Sequence, residues 1–111
     1  MPAKYTTEQV ELALTQLNQN LPVDDQWAIK NEKLCKTFKF TNFISAFGWM
    51  SQIAIWAEKL KHHPEWFNVY NKVEVDLTTH AVSFLSELDF KMSVKMDLCR
   101  TYTLTKFTLS V

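Results

Sequence analysis

The sequence predicts an α+β fold: one domain over residues 1–111, built as a four-stranded antiparallel sheet with three helices on one face, in the order α-β-β-α-β-β-α. Three observations predict it. Apolar residues recur at helical spacing in three segments, alternate at strand spacing between those segments, and belong to a chain of 111 residues that can bury one core. The hydrophobic share of 47% and aromatic share of 14% supply that core and argue against a disordered tail. Antiparallel strands can bury one face under the helical stripes and leave the other open.

The first helix is expected over residues 5–21, where Thr6 and Gln9 have capping-box spacing and Val10, Ala13, Leu14, Leu17 and Leu21 form a stripe that Pro22 stops. After an Asp24-Asp25 turn, Trp27 and Ile29 share one parity, as do Leu34, Lys36, Phe38 and Phe40, so two strands with a turn at Asn31-Glu32 are expected. Asn42 is expected to cap a second helix whose stripe runs from Phe43 through Ala46, Phe47, Met50, Ile53, Ala54 and Ala57 to Leu60; it reaches His62-His63, and Pro64 ends it. Gly48 lies inside it, either at a close helix contact or as a tolerated weak point. Phe67 and Val69, then Val73, Val75, Leu77 and Thr79, predict a second strand pair with its turn at Asn71-Lys72. Ser86 and Asp89 have the spacing of a capping box, and Leu85, Leu88, Met92, Met96 and Cys99 continue as the third helical stripe. From about residue 101 the chain is threonine-rich and partly alternating, and its state is open between helix, strand and coil.

Charge and composition remove several function classes. Twelve Lys and Arg balance 12 Asp and Glu, so no long-range field gathers nucleic acid or an anionic membrane, and direct binding to either is not expected. No apolar run is long enough to span a bilayer, and two distant cysteines, Cys35 and Cys99, form no disulfide framework. A soluble protein of a reducing interior is expected. One glycine cannot make a phosphate loop and there is no nucleophile elbow, so nucleotide, flavin and nicotinamide cofactors are not expected.

The chemistry concentrates in one stretch. His62, His63 and His80 fall between Glu58 and Asp89, interleaved with Trp66, Phe67 and Tyr70. Imidazole serves as acid and base near neutrality because its ordinary pKa is about 6.5, and a nearby carboxylate fixes its tautomer. On the expected topology the twin histidines leave the second helix and His80 ends the last strand, so one sheet edge can gather them. Plainer readings stand beside this one: His62 and His63 as a polar helix end, Glu58 as a solvent-facing i,i+4 partner of His62, Asp89 as a helix cap, and the aromatics as packing. A metal site is not expected, since no i,i+4 histidine pair or cysteine cluster accompanies the imidazoles.

The run Glu58-Lys59-Leu60-Lys61-His62-His63-Pro64-Glu65-Trp66-Phe67-Asn68-Val69-Tyr70-Asn71-Lys72-Val73, followed by Leu77-Thr78-Thr79-His80 and Leu85-Ser86-Glu87-Leu88-Asp89, closely resembles the pterin-4a-carbinolamine dehydratase family. The resemblance spans about residues 27–93. It implies the same α-β-β-α-β-β-α fold and a cofactor-free lyase that dehydrates 4a-hydroxytetrahydropterins, formed by aromatic amino acid hydroxylases, to quinonoid dihydropterin in tetrahydrobiopterin recycling. By resemblance His62, His63 and His80 are the active-site histidines, Glu58 and Asp89 the acidic residues near the substrate, and Pro64 and Trp66 part of the wall. It further implies homodimers or homotetramers in the cytoplasm, and for some members a nuclear role as dimerisation cofactor of a homeodomain transcription factor. Two positions depart from the family pattern: Phe84 stands where glycine is usual and Ala81 where an acidic residue often follows Thr-His. The loop from His80 to Ser86 is therefore expected to take its own path, and the drifting tail leaves the assembly state open.

Overall fold

The computed structural model describes residues 2–109 of the chain, with side chains through Thr103. Its elements are α1 (Thr7–Asn18), β1 (Ala28–Lys30), β2 (Lys33–Lys39), α2 (Phe43–Leu60), β3 (Glu65–Val69), β4 (Lys72–Leu77) and α3 (Glu87–Leu109), with short 3-10 turns at Val23–Asp25 and His80–Val82. The four strands form one antiparallel sheet in the order β1-β2-β4-β3. The predicted order and sheet are therefore the observed ones.

Local chemistry accounts for most boundaries. The Thr6 side chain accepts from the Gln9 amide while the Gln9 side chain accepts from the Thr6 amide, a complete capping box that starts α1. Asn42 caps α2 by accepting from the Ser45 amide at 2.8 Å. Asn31 and Glu32 both have positive φ, as a two-residue type I′ connection between β1 and β2 requires. The second hairpin turns one residue earlier than expected: β3 ends at Val69, Tyr70 takes φ 52°, and Lys72 already pairs in β4.

The core lies between the sheet and the helices. Leu34, Phe38, Val73, Val75 and Leu77 are buried from the sheet, against Ala46, Trp49, Ile53, Met92 and Met96 from the helices. Trp49 stacks near Phe38 and Phe40 and donates its indole N–H to the Met96 carbonyl at 3.0 Å, which joins sheet, α2 and α3. The strand parity that buries Phe38 also buries Lys36. Its ammonium lies 4.8 Å from the Phe38 ring centre and bonds Asp97 at 2.7 Å, beside Asp25, which Arg100 also contacts. Asp97 and Arg100 thus point inward and tie α3 to the 3-10 turn after α1.

The open end of the chain resolves as helix. α3 continues to Leu109, and the buried Thr103 hydroxyl accepts from Gln52 on α2. Residues 110–111, at the end of the threonine-rich tail, lie outside the described residues.

Candidate active site

The site forms where α2 ends, β4 ends and α3 begins. α2 stops at Leu60 rather than running on to the histidines, because Lys61 turns to the left-handed conformation with φ 53°. The Lys61 amide then donates to the Glu58 carbonyl and the His62 amide to the Ala57 carbonyl, a Schellman-type ending built without glycine. This reversal turns the two adjacent imidazoles to different surroundings. His62 is 7% exposed, whereas the His63 side chain is 64% exposed.

Each imidazole meets a carboxylate through Nε2. His62 pairs with Asp89 at 2.6 Å, His63 with Glu58 at 2.6 Å, and His80 with Glu65 at 3.0 Å. A carboxylate at Nε2 holds a proton there, so the neutral ring keeps its lone pair on Nδ1.

The three pairs differ in setting. Asp89 has no exposed surface, and its second oxygen accepts from the Thr79 hydroxyl at 2.7 Å and from the Ser86 amide at 3.0 Å. Thr79 and Ser86 also share a 2.7 Å hydroxyl contact, so the carboxylate behind His62 is held on every side. Glu58 and His63 are both largely exposed. Glu65 is intermediate: its other oxygen takes the Lys33 ammonium at 2.6 Å, and that hydrogen bond holds its carboxyl below the usual range against the opposing effect of burial.

One cleft of about 300 Å³ collects Lys61, His62, His63, Thr79, His80 and Leu88, with Pro2, Thr78 and Ala81 completing it. That volume is at the small end of small-molecule sites, and the exposed rings of His63 and His80 leave it open to solvent. The expected gathering of all three histidines at one sheet edge is therefore what the fold produces. The acidic residues stand behind the rings rather than on the lining. Trp66 packs toward the core, 6.1 Å from the Trp49 ring centre, and Pro64 is half-buried; neither lines the cleft.

The loop after His80 places neither Ala81 nor Phe84 at positive φ. Ser83 takes the positive φ, at 56°, and Phe84 pairs with Thr79 in an isolated bridge, its carbonyl accepting from the Thr79 amide at 2.8 Å. A bulky residue is thereby accommodated one position after the left-handed turn. No local pattern in the sequence marks Thr79 or Glu65 for this site, beyond the place of Glu65 directly after Pro64, and Ser86 carries only its cap spacing with Asp89.

Among the described residues no group of three or more His, Cys, Asp or Glu is arranged to hold a metal ion, and no helix is long and apolar enough to cross a membrane.

Comparison with known proteins gives a consistent result. The profile of the family described as "Pterin 4 alpha carbinolamine dehydratase" matches residues 3–107. A Rhizobium johnstonii protein provisionally named pterin-4-alpha-carbinolamine dehydratase is 50% identical over 90 residues, 79% of this chain and 82% of its own length. A Ruegeria pomeroyi protein with the same provisional name is 58% identical over 76 residues, 66% of this chain and 78% of its own length. Among solved structures, a Brucella melitensis protein described as a transcriptional coactivator/pterin dehydratase superposes with a TM-score of 0.79 at 42% identity, covering 88% of this chain and 99% of that one.

Proposed function

Because the chain belongs to the pterin-4-alpha-carbinolamine dehydratase family, we propose that it is a lyase that removes water from a 4a-hydroxytetrahydropterin to give quinonoid dihydropterin, in tetrahydrobiopterin recycling. The observation that carries this reading is the single open cleft lined by His62, His63 and His80. The reaction delivers one proton to the C4a hydroxyl as it leaves and takes one proton from N5 as the C=N bond forms. Protons and electrons balance, and no redox cofactor enters the equation.

His62 and His80 take the acid and base roles, and His63 orients the pterin or its hydroxyl. With Nε2 committed to a carboxylate, Nδ1 of each ring is the atom that exchanges a proton with substrate. Asp89 serves through His62, since its burial keeps it from touching the pterin, and Glu58, though exposed, serves through its hydrogen bond to His63. General acid/base catalysis contributes about 10² to 10⁴-fold, so His62→Ala and His80→Ala are each expected to lose that order of turnover while retaining residual activity. The check is a direct assay of 4a-hydroxytetrahydropterin dehydration by the purified chain and both variants. A parent chain that leaves the spontaneous rate unchanged would refute the reading.

A second reading, an interaction module of the same fold that acts as a dimerisation cofactor or coactivator in the nucleus, is favoured by one observation. Ile44, Phe47 and Ile55 on α2 and Leu98 on α3 are exposed apolar side chains on a neutral protein. For the lyase, taken as cytoplasmic, the same side chains support self-association as a homodimer or homotetramer.

A further inference from the structure

We propose that Glu65 is the positioning residue of His80 and that Lys33, reaching across the intervening strand, holds Glu65 in place; this rests on the dehydratase reading. His80 belongs to a single 3-10 turn and its side chain is 78% exposed, so packing alone leaves the ring free to rotate. Among the described residues, the one hydrogen-bond partner of its ring is Glu65 Oε2, at 3.0 Å from Nε2.

Glu65 in turn is fixed by the sheet. It opens the edge strand β3 and stands opposite Asp76 of β4, and Asp76 stands opposite Cys35 of β2. Lys33 lies two residues before Cys35 on the same face, so its ammonium extends past β4 to meet Glu65 Oε1 at 2.6 Å. Two different donors on two oxygens define the plane of the carboxylate, and that plane defines where the imidazole can sit. Asp76 faces the same row, and the Lys33 ammonium is held there by both carboxylates, chiefly through its hydrogen bond to Glu65. His62 needs no such arrangement, because its ring and its partner Asp89 are both enclosed.

The test is a double-mutant cycle on dehydration kinetics with Glu65→Ala, His80→Ala and the double variant. Loss of one charge-assisted hydrogen bond at an exposed site predicts a fall of about tenfold in kcat for Glu65→Ala with KM little changed. Glu65→Gln is expected to recover part of that loss, and Lys33→Met to lose less than Glu65→Ala. In the His80→Ala background, Glu65→Ala is expected to add nothing. Losses that multiply instead would assign Glu65 a purely structural part and overturn the proposal. The ¹⁵N resonances of the imidazoles give a readout without turnover. Glu65→Ala should shift those of His80 and leave His62 and His63 in place, and an unchanged His80 spectrum also overturns the proposal. An active parent with an additive cycle removes only this inference, whereas an inactive parent removes the dehydratase reading and this inference with it.

Discussion

Asp89 is wholly buried, yet His62, Thr79 and Ser86 occupy both of its oxygens. An amide in its place has one acceptor oxygen and turns an N–H₂ toward groups that donate. Asp89→Asn is therefore expected to destabilise the fold by about 2 to 3 kcal/mol, measured by urea unfolding, and to lower turnover with it. A stability change below about 0.5 kcal/mol would mean that the network is looser than its distances indicate. Cap spacing made half of this role legible, since Ser86 and Asp89 are three apart and the Ser86 amide does reach the carboxylate. The contact with His62, 27 positions earlier in the chain, follows from the docking of α3 against the end of α2, which no local pattern encodes. Glu65 was invisible for the same reason: it lies 15 residues from His80, and an acidic residue opening an edge strand looks like ordinary solvent exposure. The pKa of the Cys35 thiol, on the open face near Asp76, is pushed up to about 11, chiefly by burial, which keeps the thiol protonated at neutral pH.

The elements show where periodicity suffices and where it stops. The stripe that predicts β4 is the face the core buries at Val73, Val75 and Leu77, whereas the stripe of α2 is fully buried only at Ala46, Ile53 and Ala57: Phe43, Phe47 and Ala54 stay exposed, and Trp49, outside the stripe, is wholly buried. Element ends were harder, because positive φ falls on Lys61, Tyr70 and Ser83, residues that carry no glycine or asparagine signal. The tail stays open between helix, strand and coil in the sequence because it alternates only in part; the packing of α3 against α2 carries the helix onward, and Thr103 meets Gln52 there. Gly48 proves to be the tolerated weak point, since an added Cβ would meet nothing within 4 Å. Gly48→Ala is accordingly expected to stabilise the isolated chain by about 1 kcal/mol, seen as a higher Tm in calorimetry. A lower Tm would show that another surface closes over that side of α2.

For the molecule as a whole, large apolar side chains stay exposed on the helix layer: Ile44 is 71% exposed, Ile55 63% and Leu98 61%. Trp56, Leu60, Phe90 and Val94 line a further groove of about 620 Å³ between α2 and α3. Light scattering is expected to give the mass of a dimer or tetramer, and Ile55→Asp to shift it toward the monomer. A monomeric mass for the parent at high concentration would remove self-association from the account. The fold and the gathering of histidines were legible in the sequence because both follow from period and chain order, whereas the assembly depends on surfaces whose partners the sequence does not name.

The double duty of Asp89 has one more consequence. The same carboxylate that steadies His62 also fastens the Ser86 amide at the entrance to α3, so the first turn of that helix and the imidazole share a single anchor. By thermodynamic linkage, whatever free energy a molecule in the cleft lends to that turn is returned in equal measure by anything that grips the turn from outside. Occupancy of the hollow and capture of the helix layer are, to that extent, reciprocal.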